Sequence, residues 1–273
     1  MAKELEMVLR ECAPVLIAYS GGVDSAYLAY AAQQTIPGQT LAVLADSPSL
    51  PRSAKQAALD FAARHGIECQ VISTTEMANP DYRKNAPDRC FFCKDDLFSR
   101  MEEEMTRRPN FRTLAYGVNA DDKLDFRPGH RAAANHGVRA PLLEAGLGKA
   151  AIRTRARAAG LEVWDRPAAT WLASRVAYGI EVTPAVLAKI EQGEEALYGL
   201  GFRQVRVRYH QEMVRLEIAR EELPRALSLD MADRLTAIFK ELGFRYVTLD
   251  LQGFRSGAMN EILVMPEPSG DRA

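Results

Sequence analysis

Residues 15–25 read Val-Leu-Ile-Ala-Tyr-Ser-Gly-Gly-Val-Asp-Ser. The first five are apolar and predict a short buried strand, and the residues that follow, 26–32, are rich in helix formers. A glycine-rich turn between a strand and a helix presents the backbone N–H groups of the helix start, which bind anions. The stretch therefore predicts an α/β fold organised around a cradle for a phosphate or pyrophosphate.

Two glycines and two serines give this turn its chemistry. Gly21 and Gly22 let the backbone approach an anion closely because they carry no Cβ, and Ser20 and Ser25 add hydroxyl donors. The turn lacks the lysine of the G-x-x-x-x-G-K-[ST] loop and the spacing of G-x-G-x-x-G. The alternative interpretation is an ordinary strand–turn–helix without a ligand.

Carboxylates near the turn predict a metal ion. Asp24 lies in the first turn of the helix, and a carboxylate beside phosphates requires a cation such as Mg²⁺ between them. Asp121 and Asp122 follow a later predicted strand and are candidates for the same ion. The alternatives are a helix-start aspartate stabilised by the helix dipole, and plain loop acids.

Strands and helices alternate through the first 165 residues. The apolar and glycine patterns predict strands at 15–19, 41–45, 67–72, 113–117 and 139–142, and helices at 3–12, 53–64, 89–107 and 149–159. Such alternation predicts a parallel sheet with helices on both faces, and ligands bind at the carboxyl ends of the strands of such a sheet.

The pattern changes at residue 166. The chain then predicts a helix at 184–198, strands at 203–209 and 214–218, a helix at 232–242 and a strand at 246–251. We therefore expect a parallel-sheet domain at 1–165 and a smaller α+β domain at 166–273. The polar end, 266–272, predicts a disordered tail.

Composition limits the possible function classes. The 273 residues are 47% apolar and 26% charged with a net charge of −1, which is typical of a globular protein and lacks the overall basic field of a nucleic-acid binder. No apolar run reaches transmembrane length, and the amino terminus lacks the core of a signal peptide, so we expect a cytoplasmic protein. Four cysteines are too few for a disulfide scaffold.

A cysteine pair lies at the start of the predicted helix at 89–107. Cys90 and Cys93 are spaced to lie on one helix face, and Asp88 precedes them as a candidate cap. The helix start and the neighbouring Arg89 and Lys94 are expected to lower the pKa of both thiols. This predicts sulfur chemistry, a reversible disulfide or a metal cluster, against the alternative of two small apolar side chains.

Arginines in the second domain predict an anion site. Arg206 and Arg208 alternate onto one face of a strand, where two guanidinium groups can grip a phosphate. Arg255 lies between glycines further on and adds a third. The alternative is a solvated strand face that pairs with Glu217.

Several motifs together cover nearly the whole chain. They are Ser-Gly-Gly-Val-Asp-Ser at 20–25, Pro-Asp-Arg-Cys-Phe-Phe-Cys-Lys at 87–94, Gly-Val-Asn-Ala-Asp-Asp at 117–122, Asp-Phe-Arg-Pro-Gly at 125–129, Leu-Ala-Ser-Arg at 172–175 with Tyr-Gly at 178–179, Val-Arg-Val-Arg-Tyr-His at 205–210, and Gly-Phe-Arg-Tyr-Val-Thr-Leu-Asp at 243–250 running into Gly-Phe-Arg-Ser-Gly at 253–257. The first resembles the PP-loop of ATP pyrophosphatases, a superfamily with a Rossmann-type, adenine nucleotide alpha hydrolase-like fold. Taken together they resemble the LarE family, ATP-dependent sulfur transferases that build the nickel-pincer nucleotide.

The resemblance implies a reaction and a cofactor set. ATP would adenylate a carboxylate of pyridinium-3,5-biscarboxylic acid mononucleotide with loss of pyrophosphate, and a sulfur nucleophile would then displace AMP. The loop at 20–25 would hold the ATP phosphates through Ser20, Gly21, Gly22, Asp24 and Ser25. Lys94 would lie near the reacting centre, and Asp24 near Mg²⁺.

The same resemblance implies roles further along the chain. Ser174, Arg175, Arg206 and Arg208, with Arg255, would bind the phosphate of the substrate nucleotide. Asp122, Glu194 and Asp233 would join Asp24 as metal-site acids. Similar proteins assemble as hexamers, so we expect a homo-oligomer that binds a small nucleotide substrate and neither nucleic acid nor a membrane.

One departure from the family pattern concerns the sulfur source. Family members carry a cysteine shortly before the Ser-Arg pair, either as the sacrificed sulfur donor or as the third ligand of an iron–sulfur cluster. Here those positions are Thr170 and Trp171. We therefore expect Cys90 or Cys93 to carry the transferred sulfur, as a persulfide or on an incomplete cluster.

Three other functions fit parts of the sequence. An adenylating ligase of the NAD synthetase type would use ammonia and would not need the cysteine pair. A thiolase acting on transfer RNA shares the loop, but the near-zero net charge counts against it. A non-catalytic nucleotide-binding module would release no pyrophosphate.

Overall fold

The computed structural model describes residues 3–124, 128–166 and 171–255, which fall into two compact units. Unit 1 comprises residues 1–82 and 88–170, and unit 2 comprises residues 83–87 and 171–273. The sequence predicted a single domain boundary at residue 165. It did not predict that residues 83–87, called the excursion below, belong to unit 2. The predicted tail at 266–272 lies outside the described residues.

A four-stranded parallel sheet forms the centre of unit 1. Its strands are β1 (Val15–Tyr19), β2 (Thr40–Asp46), β3 (Cys69–Ser73) and β4 (Thr113–Tyr116), in the order β3-β2-β1-β4. Val15 pairs with Thr40 on one side and with Thr113 on the other. All of β1 is buried, as its apolar sequence predicts. The predicted α/β fold class is confirmed.

Helices follow the strands of this sheet. They are α1 (Leu5–Cys12), α2 (Val23–Thr35), α3 (Arg52–Arg64), α4 (Pro80–Arg83), which crosses into unit 2, α5 (Arg89–Arg107), α6 (Pro128–Asn135), α7 (Pro141–Glu144) and α8 (Lys149–Ala158). Several of the longer helices turn an apolar stripe inward; in α5 this stripe is Leu97, Phe98 and Met101. None of the helices in the described ranges combines the length and the apolar character that a membrane crossing requires.

Two local predictions in unit 1 are wrong. The expected strand at 139–142 is only a bridge between Arg139 and Ala115, and α7 begins directly at Pro141. Proline has no N–H for a strand ladder but fits the first turn of a helix. Asp88 occupies the N-cap position of α5, yet its side chain accepts no capping hydrogen bond.

Unit 2 is a small α+β unit built on a three-stranded sheet. Strands β5 (Val205–His210), β6 (Met213–Ile218) and β7 (Tyr246–Leu249) lie in the order β5-β6-β7, with helices α9 (Pro184–Gly199), α10 (Leu223–Ala226) and α11 (Leu229–Glu241). Thr183 caps α9 by accepting from the N–H of Val186 at 3.2 Å. In α9, a Cβ on Gly193 would lie 2.7 Å from the Phe239 ring, so α9 and α11 pack closely.

Hydrogen bonds of Asn85 hold the excursion at 83–87 in unit 2. Asn85 is fully buried, and its amide nitrogen donates to the carbonyls of Val176 at 3.1 Å and Ala177 at 2.9 Å. The carbonyl of Arg83 accepts from the N–H of Val182 at 2.9 Å. The chain therefore completes unit 2 with a segment that precedes the cysteine pair.

Candidate functional site

The loop at 20–25 closes on itself at the carboxyl end of β1. The hydroxyl of Ser25 donates to the carbonyl of Gly22 at 3.1 Å, accepts from the N–H of Ser20 at 3.2 Å and lies 3.1 Å from the Ser20 hydroxyl. Gly21 has a φ of +74°, and a Cβ there would lie 2.6 Å from the Cβ of Ala58. The two serines thus shape the loop, and Gly21 is required by backbone conformation and by space.

The end of β4 reaches the same loop. A Cβ on Gly117 would lie 2.9 Å from both the backbone N and the Cα of Ser25. Residues 117–122 therefore meet the start of α2, as expected for two neighbouring strands that end at one edge of a parallel sheet.

Lys149 is a site residue that the sequence interpretation missed. Its Nζ lies 2.5 Å from Oδ2 of Asp24, and its backbone N–H donates to Oδ2 of Asp121 at 2.7 Å. Asp122 accepts from the N–H of Asn119 at 3.0 Å. A glycine followed by a lysine at the start of a predicted helix was the available signal, but no local pattern connects residue 149 with residue 24.

Among the residues predicted to hold a metal ion, Asp24 has a side chain that suits a cation. Its second oxygen, Oδ1, is buried and has no hydrogen-bond partner among the residues that the structure describes. Mg²⁺ typically takes one or two carboxylates together with waters and phosphates, so one such oxygen fits a metal–ATP complex. Within residues 3–124, 128–166 and 171–255, no three histidine, cysteine or acidic side chains converge on a metal site.

The cysteine pair lies in the first turn of α5. Cys90 is exposed and Cys93 is half-buried. Burial, and after it the charge of Glu76, raises the pKa of the Cys93 thiol to about 12. The prediction of a lowered pKa is therefore wrong for Cys93, because desolvation outweighs the helix start and the neighbouring cations.

Lys94 follows the pair and points toward the end of β4. Its Nζ lies 5.7 Å from the ring centre of Phe98 and 5.9 Å from that of Tyr116, the residue before Gly117. On the other side, a Cβ on Gly129 would lie 3.1 Å from Cγ of Lys94. The structure thus brings Lys94 toward β4, whose carboxyl end meets the loop at 20–25.

Buried ion pairs dominate the predicted anion site of unit 2. Arg175 lies 2.9 Å from Oε1 of Glu194, and Arg208 contacts both oxygens of Glu217 at 2.9 and 2.8 Å. The side chains of both pairs are less than 10% exposed, at 3% and 7% for the first and 7% and 0% for the second. Arg208 therefore takes the pairing with Glu217, yet it is buried and not solvated.

Arg206 adds a third buried guanidinium to this cluster. It packs 4.9 Å over the ring of Phe254 and donates to the carbonyl of Val205 at 2.8 Å. Burial, followed by the nearby Arg175, lowers the pKa of Arg206 to about 10. Arg206 therefore lies with Arg175, Arg208 and two buried glutamates in one buried cluster of charged side chains.

Ser174 belongs to this cluster, whereas Asp233 does not. Ser174 links it, since its hydroxyl accepts from Arg175 at 3.1 Å and its carbonyl from Arg208 at 3.1 Å. Arg255 lies 3.9 Å from Asp250. Asp233 is exposed on α11, whereas Glu194 is occupied by Arg175. The resemblance predicts one cysteine at about positions 170 and 171: here the carbonyl of Trp171 accepts from the hydroxyl of Ser174, and Thr170 lies outside the described residues.

Known proteins similar to this chain span almost its entire length. One is the uncharacterized protein slr1717 of Synechocystis, which is 38% identical over 261 residues, 96% of this chain and 97% of its own. Another is the pyridinium-3,5-bisthiocarboxylic acid mononucleotide synthase of Lactiplantibacillus plantarum, 32% identical over 95% of this chain and 93% of its own. A third, protein MJ0830 of Methanocaldococcus jannaschii, is 27% identical over 89% and 91%. No protein-family model matches the chain.

The sheet order and the loop at its carboxyl edge define a Rossmann-like α/β protein of the PP-loop class. The similarity to the Lactiplantibacillus synthase is high enough, over nearly all of both chains, to place this one more narrowly. The chain belongs to the LarE family.

Proposed function

We propose that this protein is an ATP-dependent sulfur transferase. It converts a carboxylate of pyridinium-3,5-biscarboxylic acid mononucleotide into a thiocarboxylate and releases AMP and pyrophosphate. The observation that carries the proposal is the 32% identity, over 95% of the chain, with a synthase named for the bisthiocarboxylic acid product. The anion-binding loop at 20–25 supports the use of ATP.

The first half-reaction forms an acyl adenylate. The loop at 20–25 binds the ATP phosphates through backbone N–H groups at the start of α2. The substrate carboxylate attacks the α-phosphate, and pyrophosphate leaves. Asp24 would hold Mg²⁺, which supplies charge neutralisation on the phosphates when bound.

The second half-reaction transfers sulfur through the cysteine pair. Cys90 is exposed, so a persulfide donor can load it. The terminal sulfur of the Cys90 persulfide attacks the adenylate carbonyl, AMP leaves, and an acyl disulfide forms. The thiolate form of Cys93 then attacks the Cys90 sulfur, which releases the thiocarboxylate and leaves a Cys90–Cys93 disulfide for an external dithiol to reduce. Because burial raises the pKa of the Cys93 thiol, this step should become faster as the pH rises. No step uses a cluster, since the described residues offer no third cysteine ligand beside the pair.

The arginine cluster of unit 2 binds the phosphate of the substrate nucleotide. Ser174, Arg175, Arg206 and Arg208 are in mutual contact or close by. A dianionic phosphate accepts charge-assisted hydrogen bonds from guanidinium groups, which supports this assignment. The homo-oligomer and the cytoplasmic location stay predictions from the sequence.

Product analysis tests the proposal. The purified protein is incubated with ATP, Mg²⁺, the pyridinium biscarboxylic acid mononucleotide and a persulfide donor. We expect pyrophosphate release that depends on the pyridinium nucleotide, and a product whose mass shows oxygen replaced by sulfur. An amide product with ammonia would instead identify a ligase of the NAD synthetase type, and absence of pyrophosphate release with any pyridine nucleotide would identify a non-catalytic module.

A further inference from the structure

A buried glutamate follows β3, the strand at one end of the parallel sheet. Glu76 begins the short turn at Glu76–Ala78 and is 2% exposed. Its Oε1 accepts from the hydroxyl of Ser47, the residue after β2, and that hydroxyl accepts from the N–H of Ser49 at 3.0 Å. Its Oε2 is buried and has no hydrogen-bond partner among the residues that the structure describes. A buried carboxylate oxygen without a partner is costly to the fold and calls for an explanation.

One face of α5 packs against this turn. Asp96 accepts from the N–H of Thr75 at 2.8 Å and from the Thr75 hydroxyl at 2.7 Å. Arg100 donates to the same hydroxyl at 2.8 Å. Cys93 is three residues before Asp96 and seven before Arg100, so the three lie on one face of the helix. The contacts with Thr75 therefore bring Cys93 to the side of α5 where Glu76 lies.

The ionisable groups around the Cys93 thiol differ in their ability to take its proton. These groups are Glu76 in the turn, Tyr82 on α4, and Arg89, Cys90 and Lys94 on α5. Guanidinium and ammonium groups have no acceptor atom. Burial raises the pKa of Tyr82, so its phenol stays protonated. Cys90 carries the sulfur that is attacked, so Glu76 is the proton acceptor available in this group.

We propose that Glu76 accepts the proton of Cys93. The inference rests on the proposed function, in which Cys93 attacks the Cys90 sulfur of the acyl disulfide. Oε2 of Glu76 takes the thiol proton, the thiolate forms a bond to the Cys90 sulfur, and the thiocarboxylate leaves with the electron pair of the broken sulfur–sulfur bond. The proton passes from Glu76 to solvent, and the external dithiol restores both thiols. Ser47 and Asp96 are positioning residues that hold the carboxylate and its turn.

The negative charge of Glu76 also has an effect of the opposite sign. After burial, it is the largest cause of the raised pKa of Cys93. The carboxylate therefore disfavours a free thiolate, while it offers an acceptor for the proton. Loss of the acceptor slows the attack by Cys93, whereas loss of the charge alone speeds it. Replacement of Glu76 by glutamine distinguishes the two effects by the direction of the change.

A disulfide reagent tests the inference without ATP or the pyridinium nucleotide. In Cys69→Ala protein, the exposed Cys90 reacts with a dipyridyl disulfide and releases one pyridinethione. Cys93 then attacks the Cys90 sulfur of this mixed disulfide and releases a second pyridinethione. Stopped-flow absorbance measures both releases. We expect Glu76→Gln to leave the first release unchanged and to slow the second by about a hundredfold near pH 7, as loss of a general base does.

A second buried glutamate provides the matched control. Glu104 is 7% exposed and pairs with Arg107 and Arg108 toward the other end of α5. Glu104→Gln should show the wild-type rate for both releases. Equal slowing of the second release in Glu104→Gln and Glu76→Gln would overturn the inference, because the effect would then come from disturbance of α5.

The pH dependence separates a lost acceptor from a distorted site. Without Glu76 the thiol must lose its proton to solvent, so the second release in Glu76→Gln should rise about tenfold per pH unit and narrow its gap to the wild type toward about pH 10. The wild-type rate should rise less steeply. A second release in Glu76→Gln as fast as in the wild type, or faster, would overturn the inference, and so would slowing of equal size at both ends of the pH range. Failure of the wild type to form a thiocarboxylate would reject the proposed function instead, since both pyridinethione releases are measured without it.

Discussion

Gly117 shows at the level of single residues how closely β4 approaches the loop at 20–25. A Cβ at this position would lie 2.9 Å from the backbone of Ser25, which cannot move without shifting the start of α2. We expect Gly117→Ala to weaken ATP binding by about tenfold or more, and overpacking to cost about 1–3 kcal/mol of stability. Titration with ATP and thermal unfolding measure the two effects.

The control for Gly117 is a glycine with open space around it. Gly199 ends α9, and a Cβ there would meet nothing within 4 Å. Gly199→Ala should bind ATP as the wild type does. Wild-type affinity in Gly117→Ala would show that the end of β4 does not form part of the ATP site.

The two cysteines are expected to fail in different ways when they are replaced. In single-turnover reactions of persulfide-loaded protein, Cys90→Ala should lower thiocarboxylate formation by about two orders of magnitude or more, since it removes the sulfur carrier. Cys93→Ala should stop at the acyl disulfide and recover when a dithiol is added. Cys69→Ala, at a half-buried cysteine on β3, is the control. Full activity in both Cys90→Ala and Cys93→Ala would refute the persulfide route.

Among the elements, α5 and α6 are joined by an ion-paired histidine. His136, next to the end of α6, has Nε2 3.2 Å from Asp95 and Nδ1 3.0 Å from Glu102, both on α5. Burial lowers the pKa of His136, but the hydrogen bonds and charges of Glu102 and Asp95 outweigh burial and raise it above its ordinary value. The protonated histidine therefore favours the folded state.

The stability of this contact depends on pH. A raised folded-state pKa gives stabilisation that is fully present below the unfolded pKa of about 6.5 and is lost as the pH rises through the folded value. We expect His136→Gln to destabilise the protein by about 0.5–1 kcal/mol near pH 5.5, a small effect because both carboxylates are partly exposed. Near pH 8.5 the substitution should have little effect, because the stabilisation by charge is lost there. Urea unfolding at both pH values measures this.

A double background isolates the ion pairs from the ring contacts. His136 also packs against Phe98, with the ring centres 5.9 Å apart, so its replacement removes apolar contact as well as charge. In Asp95→Asn/Glu102→Gln protein, the pH-dependent part of the His136→Gln effect should disappear. An effect of equal size at both pH values in the original background would assign it to packing.

Periodicity and turn chemistry predicted most elements, because they act locally. Alternating strands and helices gave the parallel sheet, and Thr183-Pro184 gave the start of α9. The strand predicted at 139–142 was wrong since Pro141 starts a helix. The prediction that the pKa of Cys93 is lowered was wrong, because burial raises it. Burial depends on tertiary packing, which the neighbouring residues in sequence do not define.

The site was predictable only where its residues are close in sequence. Ser20 to Ser25 form one loop, and their chemistry is visible in the motif. The contact of Lys149 with Asp24 joins residues 125 positions apart, and nothing in either segment indicates the other. The pairing of Arg208 with Glu217 was open from sequence, because it is diagonal: the register of β5 and β6 sets Arg206 opposite Glu217 and Arg208 opposite Arg215.

At the scale of the whole molecule, the side chain of Asn85 helps to hold residues 83–87 in unit 2. Asn85→Ala removes two hydrogen bonds from a buried residue, which should cost about 2–3 kcal/mol. Lys84 is exposed and lies next to Arg83, so trypsin should cleave after these residues faster in the variant. Mass spectrometry of the digest locates the cut.

An exposed residue with similar backbone geometry serves as the control for this prediction. Gln211 has a φ of 60°, close to the 54° of Asn85, but it lies in the exposed turn between β5 and β6. Gln211→Ala should leave the cleavage pattern unchanged. Equal protection of Asn85→Ala and wild type would mean that the segment is held without the amide.

The excursion also constrains how such a gene can recombine. A single crossover near residue 170 would join a foreign carboxyl-terminal half to the resident 83–87, which supplies partners for the carbonyls of Val176 and Ala177. In the hybrid, the Asn85 donor would come from one parent and the carbonyl acceptors at 176 and 177 from the other. Replacing all of unit 2 therefore requires the exchange of two separate pieces of DNA. Because a single exchange would not do this, we expect the two units to have been inherited together.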